Sequence, residues 1–190
     1  MKGINFDEKV KYWDCLNKVQ QWPGFEVSQK ISNGNIKDGW LVAENLSTEW
    51  YSIVGLSTTV FNAKQLADAS QITAIDILWV KKQEVLDYIA TYTPIEQIKA
   101  DAEKLREDGD RKERDEYGFW SSLPFPEDAK SNDGKYRKRY DHNMFQLTYS
   151  SRKKEQPINI VIGRSNLEHL KSARHFVVTK DYVKDIVKGA

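Results

Sequence analysis

Residues 74–92, AIDILWVKKQEVLDYIATY, carry the decisive reading. Ile75, Ile77 and Trp79 alternate with Ala74, Asp76, Leu78 and Val80, so both faces are mostly apolar, as in an interior strand with covering layers. Gln83–Tyr92 follows at once as a helix. Such a strand running into a helix places the chain in the α+β class, with a central mixed sheet and an N-terminal hairpin, flanked by helices.

Upstream, Trp50–Ser57 (WYSIVGLS) is rich in aromatic and β-branched residues and reads as another strand. Asn62–Gln71, with Ala63, Leu66, Ala67 and Ala69, favours a short helix. Phe25–Ile31 and Ile36–Glu44 flank Asn33-Gly34, the dipeptide that most readily supplies the positive φ angles of a tight hairpin. Before them, Asn5 and Glu8 have capping-box spacing, and Phe6, Val10, Trp13, Leu16 and Val19 recur at helical intervals up to Trp22-Pro23-Gly24. An amphipathic N-terminal helix is expected there.

Downstream, Thr93-Pro94-Ile95-Glu96 combines an N-cap, a first-turn proline and a capping glutamate, so a helix begins there with Ile95, Ile98, Ala102 and Leu105 as its apolar stripe. Gly109 is expected to interrupt it. Nearly every residue from Lys99 to Glu116 is charged with mixed sign, which suits a solvated helix or arm. Residues 118–135 read as a long surface loop. The last third reads as strands Met144–Ser150, Ile158–Ile162 and His175–Thr179, a short helix capped by Ser165 and Glu168 before the third of these, and a closing helix Asp181–Val187.

At 190 residues and 39% hydrophobic content, the chain has the material for one domain over 1–190, with the charged helix or arm and loop of 96–135 inserted in it. No run approaches the roughly twenty apolar residues of a membrane helix, and MKGINFDEKV lacks the apolar core of a secretory signal, so a cytoplasmic protein with no membrane partner is expected. Cys15 is the only cysteine, which rules out an internal disulfide and a cysteine-based zinc cage. The formal charge of +1 conceals an asymmetry: residues 135–190 hold 13 Lys and Arg against 5 Asp and Glu, leaving 16 against 23 for residues 1–134. The imbalance fits a surface that meets an anionic partner, or two lobes that attract each other within the fold.

Compact motifs for phosphate binding, acyl transfer and zinc proteolysis are missing. His142, His169 and His175 are the only histidines, and their spacing makes no metal site by itself. Gly163-Arg164-Ser165-Asn166 has the makings of a small anion nest or of a plain helix cap. Asp76, inside an apolar strand, needs a partner or a shifted pKa, and a salt bridge or strand-edge exposure meets that need without catalysis. Of the six tryptophans, Trp22 and Trp120 are the better interface candidates and the rest read as core.

The foremost functional signal is Lys135-Tyr136-Arg137-Lys138-Arg139-Tyr140, followed after one strand by Arg152-Lys153-Lys154. Several cations release counterions at phosphates, and Tyr136 and Tyr140 are available for stacking on bases. The alternative is a basic loop and turn that keeps the protein soluble or pairs with its acidic part.

The order helix, hairpin, strand, helix, strand, helix over residues 5–92 resembles the element order around the active site of PD-(D/E)XK restriction-type nucleases. The resemblance implies Asp38, in Ile36-Lys37-Asp38-Gly39-Trp40, as the first metal-binding acid, and an acid-x-lysine element on Trp50–Ser57. That strand carries Val54-Gly55-Leu56 instead, which neither coordinates magnesium nor activates water. An active member would hold Mg2+ on Asp38 and Glu44, with Lys64 of Asn62-Ala63-Lys64 orienting the attacking water or stabilising developing charge. Three readings follow: a DNA- or RNA-associated protein with a degenerate nuclease-like site, a non-enzymatic inhibitor or adaptor with a protein partner, and a divergent metal-dependent nuclease.

Overall fold

The Asn33-Gly34 turn forms as its sequence predicts: in the computed structural model Gly34 takes φ +87°, and Asn35 N–H donates to the Asn33 side chain at 3.0 Å. The structure describes residues 6–12, 23–59, 68–114, 136–140, 145–150 and 153–186, giving only the backbone path for 6–12, 110–114 and 136–140. Around the turn, β2 (Gly24–Lys30) pairs antiparallel with β3 (Ile36–Asp38). The remaining strands are β1 (Phe6–Tyr12), β4 (Trp50–Thr58), β5 (Ile72–Lys81), β6 (Tyr136–Tyr140), β7 (Phe145–Tyr149), β8 (Ile158–Ile162), β9 (Arg174–Thr179) and β10 (Val183–Asp185). The helices are α1 (Lys82–Ala90), α2 (Ile95–Arg114) and α3 (Arg164–Glu168). The class is α+β, and no helix among the described residues is long and apolar enough to cross a membrane.

The described residues divide into two compact units, one within 1–23, 47–85 and 163–190, the other within 24–46 and 86–162. The first holds a mixed five-stranded sheet in the order β1-β4-β5-β9-β10, with β1 parallel to β4 and the other pairs antiparallel. β5 lies at its centre, as the two-sided apolar pattern of 74–80 requires. Pairing puts Tyr51, Ile53, Leu78 and Val80 on one face, where all four are buried.

The second unit holds an antiparallel five-stranded sheet in the order β3-β2-β8-β7-β6. Alternate residues Phe145, Leu147, Tyr149, Ile158, Ile160 and Ile162 are fully buried, as are Ile98, Ala102 and Leu105 of α2, which packs on β7, β2 and β6. Each large side chain removed from water in this way stabilises the fold by about 1.5–3 kcal/mol.

Several elements depart from the sequence expectation. The N-terminal helix is replaced over Phe6–Tyr12 by β1. FDEKVKY also fits a period of two that Glu8 interrupts, with Phe6, Val10 and Tyr12 against Asp7, Lys9 and Lys11, and pairing with β4 decides between the two periods. The element order of residues 5–92 therefore opens on a strand. Gly109 does not interrupt α2: it is buried and continues the stripe of Ile98, Ala102 and Leu105, so packing outweighs its helix penalty of about 1 kcal/mol. The second hairpin arm ends at Asp38, because Leu41 N–H donates to Glu26 O and Val42 and Ala43 turn back onto Gly39 O.

The closing helix gives way to β10, which pairs with β9. A helix of that length is marginal by itself, whereas Val183–Asp185 completes hydrogen bonds along β9. Ser165 does not cap α3, whose N-cap is Gly163 with no side-chain bond. Of the helix expected over Asn62–Gln71, the described end is a 3-10 turn, Ala69–Gln71, capped by Asp68. Ser70 N–H donates to the Asp68 carboxylate at 2.6 Å and holds its pKa below the ordinary value. The loop 118–135, Cys15, Trp22 and Trp120 lie outside the described residues.

Candidate functional site

Asp38 ends β3 and meets α2: Lys99 Nζ donates to its Oδ2 at 3.0 Å. The chain then turns through Trp40–Ala43 and brings Glu44 to the same place. Asp38, Glu44, Gln29, Lys37, Trp40 and Lys99 line one open cavity of about 660 Å³. The two acids named from the sequence thus share a cavity, while Lys64 lies outside the described residues. Among the described residues no group of three His, Cys, Asp or Glu is arranged for a metal. Asp38 and Glu44 fit Mg2+ only in its water-rich mode, in which one or two carboxylates suffice. Lys99 escapes sequence reasoning, because its stretch reads as a solvated helix face and its partner is 61 residues away.

The basic segment is not a loop. Tyr136–Tyr140 forms β6, the outer strand of the antiparallel sheet, with Arg137 opposite Thr148 and Arg139 opposite Gln146. Tyr136, Tyr149 and Ile158 stand in one row across β6, β7 and β8, so the β7–β8 turn with Lys153 and Lys154 emerges at the Tyr136 end of β6. That turn is held from beneath. Buried Arg106 donates to Gln156 O at 2.8 Å and Ser28 Oγ at 3.0 Å, and its guanidinium lies 5.2 Å from the Tyr149 ring centre. Gln156 itself has φ 41°, a left-handed conformation held by the turn. Lys135 and Arg152 lie outside the described residues.

In the first unit, Asp76 has the salt bridge that its burial requires. Arg164, whose side chain is 3% exposed, contacts Asp76 Oδ1 at 2.5 Å and Glu168 Oε1 at 2.6 Å. His175 Nε2 lies 2.7 Å from Asp76 Oδ2 and 3.1 Å from Arg164 Nη2. The guanidinium can only donate and the carboxylate accepts, so this one ring nitrogen serves one of them at a time: with hydrogen on Nε2 it donates to Asp76, and without it Nε2 accepts from Arg164. Arg164 Nη1 is buried with no hydrogen-bond partner among the described residues. The arrangement neutralises charge and fastens α3 to β5 and β9 of the sheet.

No family model matches this chain, and no curated protein or solved structure matches it. In Gly163-Arg164-Ser165-Asn166 the Arg164 side chain turns inward to Asp76, and the N–H groups of Asn166 and Leu167 donate to Gly163 O. His169 Nδ1 approaches Ser165 O at 2.5 Å and His175 is engaged by Asp76, so the two histidines serve separate neighbours. His142 lies outside the described residues.

Proposed function

We propose that this chain is a nucleic-acid-associated protein whose contact runs along β6 and the β7–β8 turn. One observation carries the reading: the register lays Arg137, Lys138 and Arg139 along an outer strand, with Lys153 and Lys154 on the turn at its end. Strand residues, about 3.3 Å apart, alternate between faces, so Arg137 and Arg139 share one face about 6.6 Å apart as the cations offered to phosphates. Lys138, Tyr136 and Tyr140 share the face of buried Leu147, Tyr149 and Phe145, a correction to the expected stacking role of the two tyrosines. Lysine and arginine on an outer strand also discourage strand addition by another chain, and salt-dependent binding separates the two roles.

Replacing Arg137, Lys138 and Arg139 together by alanine is expected to weaken binding of DNA or RNA at least about tenfold and to flatten its salt dependence between about 50 and 200 mM. An electrophoretic mobility shift with duplex and single-stranded probes reads this directly. No complex with wild type at the lower salt would rule the reading out.

A second reading, a metal-dependent nuclease, is favoured by the common cavity of Asp38 and Glu44. Bound Mg2+ would supply Lewis-acid stabilisation of the phosphate there. The expected result is plasmid nicking with Mg2+ or Mn2+ that drops at least about tenfold in Asp38→Asn and in Glu44→Gln, as loss of one electrostatic stabiliser does. Nicking that both substitutions leave unchanged would remove these residues from the chemistry.

A further inference from the structure

The mixed sheet has a second face, opposite the one that carries Tyr51, Leu78 and Val80. Pairing sets Trp50 against Lys81, Ser52 against Trp79, Trp79 against Arg174, and Phe176 against Asp185. Strand alternation therefore puts Trp50, Trp79, Lys81, Arg174, Phe176 and Asp185 on one surface. Trp50, Trp79 and Phe176 are half-buried there. Trp79 and Phe176 meet edge to face with centroids 5.0 Å apart, and Trp79 Nε1 donates to Ser52 Oγ at 3.1 Å, which fixes the indole.

At one end this surface opens into a cavity of about 440 Å³ lined by Trp50, Lys81, Lys171, Arg174, Asp185 and Ile186. Three cations face one carboxylate. Lys81 Nζ lies 5.5 Å from the Trp50 ring centre, so charge and ring are already neighbours. The wall between Lys171 and Arg174 is tied by hydrogen bonds: Ser172 donates from its N–H and its Oγ to Glu84 Oε2 at 2.9 and 3.0 Å, and its Oγ accepts from Lys81 N–H at 3.0 Å. The volume lies within the range of small-ligand sites.

We propose that this cavity takes one nucleotide of a single strand, its base against Trp50 and its phosphates at Lys81, Lys171 and Arg174. The inference rests on the nucleic-acid reading above and adds a second contact, in the other unit, and a preference for unpaired strands. A duplex hides the faces of its bases, whereas an unpaired base offers a π-face that any aromatic platform can use. The base replaces the Lys81 ammonium over the indole, an exchange that gives up only a weak exposed cation–π contact and frees the ammonium for the phosphate.

The test is fluorescence anisotropy of the full chain with a labelled single strand of about ten nucleotides, comparing wild type, Lys171→Ala/Arg174→Ala and Trp50→Leu. The double substitution is expected to weaken binding about tenfold and to reduce the magnitude of the salt slope by about 1.4, from a contribution of about 0.7 per cation on single strands. Trp50→Leu is expected to weaken binding several-fold with an unchanged slope, the signature of lost stacking. An unchanged affinity and slope in Lys171→Ala/Arg174→Ala, while the β6 triple substitution abolishes binding, would overturn this inference and leave the nucleic-acid reading intact. Failure of wild type to bind any strand would overturn both. Equal competition by poly-glutamate would also overturn it, since the cavity would then take an anion without a base.

Discussion

Replacement of Arg164 by methionine is expected to destabilise the chain by about 3–5 kcal/mol, the cost of leaving buried charge without its partner. Arg164 is 3% exposed and is shared by Asp76, which is 14% exposed, and Glu168. Without the guanidinium, Asp76 keeps, among the described residues, His175 at 2.7 Å. Charge is the issue, not volume, since methionine fills much of the same space. A second substitution separates the two: Arg164→Met/Asp76→Leu removes both signs together and is expected to recover most of the loss, as hydrophobic replacement of buried ion pairs often does. Urea unfolding of wild type, single and double variants measures it. A single variant within about 1 kcal/mol of wild type would mean that water or another group already compensates Asp76.

Local chemistry was legible in the sequence, and long-range choice was not. Asn33-Gly34 announces the hairpin because the turn's φ requirement is met within two residues. The stretch 74–80 announces a central strand because both of its faces are apolar. Phe6–Tyr12 is different, since FDEKVKY satisfies a helical and an alternating period, and only the neighbour β4, more than forty residues later, selects the strand. Val183–Asp185 is decided in the same way by β9.

The candidate sites divide along the same line. Asp38 and Glu44 are recognisable as acids near a turn, yet their common cavity depends on α2 delivering Lys99. Asp76 stands out in the sequence as a carboxylate in an apolar strand, while its partner Arg164, 88 residues away, sits in a segment that reads as a helix cap. Trp50 and Trp79 look like separate core residues until the β4–β5 register puts them on one face with Lys81 and Arg174. Tyr136–Tyr140 alternates in a way compatible with a strand, but its run of charge masks the signal.

Gly39→Ala is expected to cost up to about 3 kcal/mol, the upper end for inserting a methyl group where no space exists, and to cost more than Gly34→Ala. The contrast runs against the usual reasoning about glycine. Gly34 has φ +87°, but a Cβ built there meets nothing within 4 Å, so alanine incurs only the backbone preference of about 1–2 kcal/mol. Gly39 has ordinary φ, but a Cβ there would overlap the backbone carbonyl of Glu26 and fall 2.7 Å from its Cγ. The backbone cannot step aside cheaply, because Gly39 N–H donates to Val27 O at 2.7 Å and Leu41 N–H to Glu26 O at 2.9 Å. Relief requires β3 to lift from β2, and Asp38, the residue before, moves with it away from Lys99. Gly39→Ala should therefore lower stability in urea and also weaken the coupling between Asp38 and Lys99, measured as the double-mutant-cycle energy of Asp38→Asn with Lys99→Met. That surface pair contributes at most about 1 kcal/mol in wild type, so the expected change is its disappearance. Gly34→Ala should leave the coupling untouched. Equal losses of stability in the two alanine variants, with the coupling intact in both, would show that the close approach of Gly39 to Glu26 does not hold the Asp38 cavity in place.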